Sequence, residues 1–214
     1  YDYVAPDGVA DTVWKGTGDD LTAVVVAFSK LPALYIADGH HRAASAARAW
    51  ARFGEAAGPD GEHAWFLAVA FPDNQTQILP YNRTVKDLNG HAPDELLAAI
   101  SAKFTVTAGP AVPSRKGECA VYLGGQWYTI GLLPPGAPAS ADPIKSLDVS
   151  LLQDGILEPL LGVADPRTDK RIDFIGGIRG TGALAQAVGA GRAAVAFSMF
   201  PVTVAELMAI ADAG

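Results

Sequence analysis

The string Tyr35-Ile36-Ala37-Asp38-Gly39-His40-His41-Arg42 packs an acid, a glycine, two of the chain's four histidines and an arginine into one short stretch. The apolar, β-rich run Ala33–Ala37 predicts a strand, Asp38-Gly39 a tight turn, and the Ala/Arg-rich stretch His40–Phe53 a helix that ends at Gly54. The charged residues therefore fall on the first turn of a helix. That end of a helix carries unpaired N–H groups and a partial positive charge, so cations are out of place there unless an anion is expected. A bound phosphate would take the free N–H groups, the Arg42 fork and one imidazole N–H, and Gly39 would let the backbone come close. Asp38 would then stand beside the phosphate, where a carboxylate holds a bridging Mg²⁺ or accepts a hydroxyl proton. Asp38, His40 and His41 are the candidate catalytic residues. Gly39, His41 and Arg42 are the candidate phosphate cradle, and Asp38 is the candidate Mg²⁺ ligand.

Two other readings of the same string stay open. In one, Asp38 only caps the helix, His40 and His41 are exposed and neutral, and Arg42 pairs along its own helix. Zinc is the other, and spacing argues against it: neighbouring helical residues point roughly 100° apart and the i, i+4 ligand spacing is missing.

A second constellation, Leu79-Pro80-Tyr81-Asn82-Arg83, closes a predicted strand. Tyr81 offers a stacking face, Asn82 an amide and Arg83 a fork-shaped cation, groups that suit a nucleotide or a carboxylate. Arg83 joins Arg42 as a phosphate ligand if the two strand ends converge on one sheet edge. The bland alternative is a strand end with a surface arginine. A third, Ile175-Gly176-Gly177-Ile178-Arg179-Gly180, leads from a strand through a glycine turn into a helix, with Arg179 as a weak candidate for nucleotide contact; a lone glycine-rich turn is little evidence. His63 and His91 receive no role.

The elements that must position these groups follow from pattern. Leu21–Lys30 reads as a helix behind Asp19 and Asp20. His63–Phe71 and Gln75–Tyr81 read as a hairpin around Pro72-Asp73-Asn74. Pro93–Lys103 has Pro at its start, Asp94 and Glu95 in its first turn, and Leu96, Leu97, Ile100 and Phe104 on one stripe. Glu118–Leu123 and Gln126–Leu132 flank Gly124-Gly125, a two-residue hairpin turn. Pro134–Pro143 is rich in Pro, Ala and Gly and reads as a linker or flap. Then come a helix over Asp148–Leu161, a strand over Arg171–Ile175, a helix over Thr181–Val188, a strand over Ala193–Phe200 and a helix over Thr203–Ala211. The pattern predicts an α+β (mixed α/β) fold, a mixed sheet with flanking helices, divided at 1–92 and 93–214.

Composition bounds the partners. With 214 residues, half of them hydrophobic and 18% charged, the chain is too apolar for intrinsic disorder. Its longest apolar run, Ala64–Phe71, is well short of the roughly 20 residues that cross a membrane. A net charge of −7 would repel a duplex backbone over most of the surface, so a broad nucleic-acid face is not expected. The single cysteine, Cys119, can form no internal disulfide and reads as packing, which points to a reducing cytoplasm. The start at Tyr1 and the stop at Gly214 read as those of a fragment. Oligomeric state is not legible.

Tyr35–Arg42, Ile78–Leu88 (ILPYNRTVKDL), Leu147–Asp165 (LDVSLLQDGILEPLLGVAD) and Ala193–Gly214 resemble, in the same order, the bacterial and archaeal family called domain of unknown function 1015. The resemblance implies further segments on both sides, including a tail with a Pro-Lys-Ser-Thr string, so this stretch alone is expected to bind phosphate weakly and not to turn over. Gly39-His40-His41-Arg42 is in turn similar to the Gly-x-His-Arg phosphate-binding pattern of the ParB and sulfiredoxin superfamily, which implies a ParB/sulfiredoxin-like portion over about 20–90 and a C-terminal α/β portion. In sulfiredoxins the x position is the catalytic cysteine; His40 stands there here, which excludes that chemistry. The superfamily's kinases of free serine have Asp before the Gly and an acidic base upstream, for which Asp2, Asp7, Asp11, Asp19 and Asp20 are all candidates. The resemblance thus implies a phosphotransferase using Mg²⁺ and a nucleotide, ATP or ADP, on a small hydroxyl substrate such as serine. The alternative is a nucleotide-binding switch or ligand-binding module without transfer.

Overall fold

The computed structural model describes residues 1–58, 60–138 and 140–213. Ala139, inside the expected linker Pro134–Pro143, and Gly214, the last residue of the Ala193–Gly214 segment, lie outside the described residues. The chain divides into two units, Tyr1–Phe66 and Leu67–Gly214.

In the first unit, Asp2–Val4 (β1) pairs antiparallel with Ala10–Thr12 (β2). Asp19–Phe28 (α1) is helical as expected, with Asp19 and Asp20 in its first turn where the helix dipole favours acids. His40–Ala57 (α2) runs through Gly54, the expected stop, and ends at Gly58, whose left-handed φ of 73° is what terminates it. The strand expected over Ala33–Ala37 is irregular chain. Its β-branched and apolar residues favour extension, but the segment pairs with neither strand of this unit's two-stranded sheet, and without a ladder it is not a strand. Among the described residues none of this unit is buried.

The second unit holds the core. Tyr81–Val85 (β3) is followed by Pro93–Ser101 (α3), where Glu95 reaches back to accept the Ala92 N–H at 2.8 Å. Val106–Ala108 (β4), Glu118–Leu123 (β5) and Gln126–Gly131 (β6) come next, and the β5–β6 hairpin turns on Gly124-Gly125 as the sequence predicts. Asp148–Leu152 (α4) then leads through Ile172–Gly176 (β7) and Gly180–Gly189 (α5) to Val195–Met199 (β8) and Val204–Ala213 (α6). The six-stranded sheet has the order β4-β6-β5-β8-β3-β7. The α+β class is as expected, but every pairing is antiparallel where a mixed sheet was expected.

The hairpin over His63–Phe71 and Gln75–Tyr81 does not form: the turn at Asp73–Gln75 is present as one 3-10 turn, but its flanks carry no ladder. Tyr81 instead begins β3, which pairs with β7 and β8, more than 80 residues away in the chain. The helix expected over Asp148–Leu161 is α-helical only to Leu152 and then widens into a π turn, Gln153–Leu157, with the Glu158 N–H on the Gln153 carbonyl at 3.0 Å. Gly155 lets this turn pack closely on the Phe104 ring, since a Cβ there would lie 2.7 Å from it.

Val195, Phe197 and Met199 of β8 face the apolar core with Val121, Ile130, Leu96, Ile100, Leu152 and Ile156. Alternation puts Ala196 and Ser198 on the other face, where α5 packs on β8. Strand β3 repeats the pattern, so Arg83 shares the core face with Val85 while Asn82 and Thr84 are buried opposite. Asp148 is 6% exposed and takes the Gly117 N–H on both carboxylate oxygens, at 2.9 and 3.1 Å. Burial pushes its carboxyl up from the usual 3.8, against the opposing pull of that N–H. The folded state therefore binds the proton more tightly than the unfolded chain does. Its contribution to stability is full below pH 3.8 and falls as pH rises through the raised folded value. Asp148→Asn, which keeps an acceptor for Gly117, is expected to be at least as stable as the parent at neutral pH and to flatten that slope in urea melts across the acid range. Asp148→Ala should lose about 1–3 kcal/mol by orphaning the N–H. An Asn variant as unstable as the Ala variant would show that the charge itself holds the fold.

Candidate functional site

Gly39 stands immediately before α2 with φ 82° and ψ 27°, a left-handed conformation that glycine adopts without strain. No side chain caps this helix end and its first turn contains no acid. Asp38 is therefore not a cap by hydrogen bond. It pairs instead with Arg42 one turn on, at 3.7 Å, and both side chains are exposed. The Arg42 guanidinium folds back over Gly39, where a Cβ would meet its Nη2 at 3.0 Å and its Nε at 3.1 Å. A loop, rather than the expected strand, leads into this turn. His40 and His41 are exposed on the same helical turn. The five residues Asp38 to Arg42 thus form one exposed turn with backbone N–H groups and a guanidinium at a helix start.

Tyr81, Asn82 and Arg83 lie on β3 in the second unit and do not act as one group. Asn82 is buried and accepts the Met199 N–H at 3.0 Å, so its amide ties β3 to the end of β8. Tyr81 and Arg83 share the other face and flank Phe174 of β7: the Tyr81 ring stacks at 5.0 Å between centroids, and the Arg83 guanidinium lies 5.6 Å from the Phe174 ring centre. Arg83 also donates from Nη1 to the Tyr81 carbonyl. Half-buried at the margin of the core, it forms no ion pair with a carboxylate among the described residues. Burial pulls its guanidinium down to about 10. Arg83 lines an open cleft of about 380 Å³ with Lys145, Val149, Ser150, Gln153 and Asp154.

Arg179 is exposed in the 3-10 turn Gly177–Arg179, and the strand, glycine turn and helix expected around it are present. A second cleft, about 440 Å³, contains Arg115 and Lys116, but both cations are already paired, with Glu118 at 2.9 Å and with Glu206. Cys119 is fully buried in the core, and burial pushes its thiol up out of the reactive range, which fits a packing residue. Among the described residues no cluster of three or more His, Cys, Asp or Glu is arranged to hold a metal ion. No helix among them is long and apolar enough to cross a membrane.

Sequence reasoning missed Lys145, Ser150, Gln153 and Phe174. The signal that could have found Ser150 and Gln153 is the Leu147–Asp165 string, whose polar residues interrupt an otherwise apolar run; nothing in the sequence singles out Lys145 or pairs Phe174 with Arg83. Arg42 belongs to the first unit and Arg83 to the second.

An antiparallel six-stranded sheet with helices, beside a small two-stranded sheet, defines an α+β protein. The family model described as a protein of unknown function, DUF1015, matches residues 1–150, and the chain belongs to that family. No curated protein and no solved structure matches it.

Proposed function

We propose that this protein binds the phosphates of a nucleotide, ATP or ADP, on the Asp38–Arg42 turn and transfers a phosphoryl group to the hydroxyl of a small compound such as free serine. The observation that carries the reading is the uncapped start of α2 behind a left-handed Gly39, with the Arg42 guanidinium folded over it and no acid in the first turn. Those donors suit a phosphate, whose oxygens accept from backbone N–H groups and from the arginine fork together. The likeness of Gly39-His40-His41-Arg42 to the ParB and sulfiredoxin pattern supports the same ligand, and a cytoplasmic setting supplies it.

Asp38, exposed and engaged only by Arg42 at 3.7 Å, fits a single carboxylate ligand to Mg²⁺ that arrives with a nucleotide. Bound there, Mg²⁺ would neutralise charge on the phosphate oxygens. His40 and His41 would donate imidazole N–H groups to the transferred phosphoryl, and Arg42, released from Asp38, would hold it in place. The second reading is a nucleotide-binding switch without transfer, favoured by the Asp38–Arg42 pair, which occupies the carboxylate that transfer would need.

Thermal-shift titration with ATP and ADP, each with and without Mg²⁺, tests binding. A nucleotide at 100 times its dissociation constant adds about 2.7 kcal/mol of stability. Transfer of the γ-phosphate to serine by the full-length protein separates the two readings. Stabilisation without transfer favours the switch, and no stabilisation by either nucleotide overturns both.

A further inference from the structure

We infer that the cleft beside β3 is a binding site for a small organic anion, a carboxylate or a phosphate monoester, held by Arg83 and Lys145. It goes beyond the nucleotide reading and does not depend on the Asp38–Arg42 turn, because every residue that forms it belongs to the second unit.

Arg83 carries a charge uncompensated among the described residues. Arg83 sits on the core face of β3, in line with the fully buried Val85, against the ring of Phe174. A cation removed from water in this way costs free energy unless an anion meets it. Arg171, the other half-buried arginine of this unit, follows that rule: it pairs with Asp169 at 2.8 Å and with Asp87 at 3.4 Å. Arg83 has the Tyr81 carbonyl and the Phe174 ring, and among the described residues no carboxylate within 4.0 Å. It lines the cleft.

The rest of the cleft is a fixed frame. Asp142 accepts the N–H groups of Ile144 and Lys145, at 2.8 and 3.2 Å, and Ser150 donates its hydroxyl to the Ile144 carbonyl at 2.7 Å. These bonds tie the loop that carries Lys145 to α4. Gln153 donates Nε2 to the Val163 carbonyl at 2.6 Å and more weakly to that of Ala164, which fixes its amide and leaves Oε1 buried without a partner. It stands at the start of the π turn, a feature frequent at functional sites. The charged residues lining the cleft's volume of about 380 Å³ are two cations, Arg83 and Lys145, and one carboxylate, Asp154. That volume admits a small molecule, and the balance of charge favours a small anion over a polyanion.

Isothermal titration of the chain with inorganic phosphate and, separately, with succinate tests this. One of the two should bind saturably, and which one does assigns the head group. Arg83→Met keeps the apolar stem against Phe174 and removes the fork, and should weaken binding about tenfold or more, the loss of one charge-assisted contact. Lys145→Ala, at an exposed position that leaves the fold intact, should weaken it several-fold. Arg115→Ala, in the other cleft, should leave it unchanged. Melting curves confirm that each variant folds, and if Arg83→Met does not, Lys145→Ala still decides. Absence of saturable binding by either probe overturns the assignment. So does binding that survives both cleft variants; if that binding is lost in Arg42→Ala, the anion belongs to the α2 turn, and the nucleotide reading stands without this one.

Discussion

Phe197→Ala is expected to cost about 3–5 kcal/mol of folding stability. Phe197 has no exposed surface and lies at the middle of β8, opposite Val121 of β5 on one side and Arg83 of β3 on the other. Its ring belongs to the cluster formed by the sheet, α3 and α4, so its removal deletes apolar contact and leaves a cavity that strands fixed by hydrogen bonds on both edges cannot close. Against a total of about 5–15 kcal/mol for a typical domain, the loss should bring the urea midpoint down sharply. Trp14→Ala is the control: this larger side chain is 82% exposed, and its removal should change stability by about 0.5 kcal/mol or less. Equal losses in the two variants would show that β8 is not the centre of the fold.

Arg42→Ala is expected to weaken nucleotide binding by about 1.5–3 kcal/mol, the range for a hydrogen bond to a charged group, with no measurable change in melting temperature. Its partner Asp38 is nearly fully exposed, and a solvent-exposed pair one helical turn apart contributes little to folding. Asp38→Asn should retain nucleotide binding, because the cradle is built from backbone and Arg42, but should lose Mg²⁺-dependent transfer. Gly39→Ala should weaken binding by another route, since the residue must hold φ 82° and its new methyl would press on the Arg42 guanidinium. Calorimetry with ATP, paired with a phosphate-transfer assay, both on the full-length protein, separates these outcomes. Unchanged transfer in Asp38→Asn would remove the carboxylate from the mechanism, and unchanged binding in Arg42→Ala would remove the turn.

The elements legible in the sequence are those whose signals are local. Gly124-Gly125 between two alternating runs needs no information from elsewhere to make the β5–β6 hairpin, because both turn residues take left-handed φ, 60° and 83°, and the ladder closes on its immediate neighbours. Pro93 with Asp94 and Glu95 starts α3 for similar reasons. Asp38-Gly39 before an Ala/Arg-rich run likewise marked the left-handed turn and the start of α2. What the tertiary structure alone decided is which extended segments find partners and which charges lose water. Trp65–Phe71 is as apolar as any strand of the protein, yet it carries no ladder, while Tyr81–Val85 pairs with strands more than 80 residues distant. Period-2 hydrophobicity specifies an extended backbone but not the partner that satisfies its N–H and C=O groups. Arg83 follows the same logic: its type was readable as an anion ligand, but its half-burial beside Phe174 and its place in a cleft with Lys145 and Gln153 arise only when β3, β7, the loop before α4 and the turn after it come together. Desolvation is a property of the surroundings, and those of Arg83 include Phe174 and Phe197, 91 and 114 positions further along the chain.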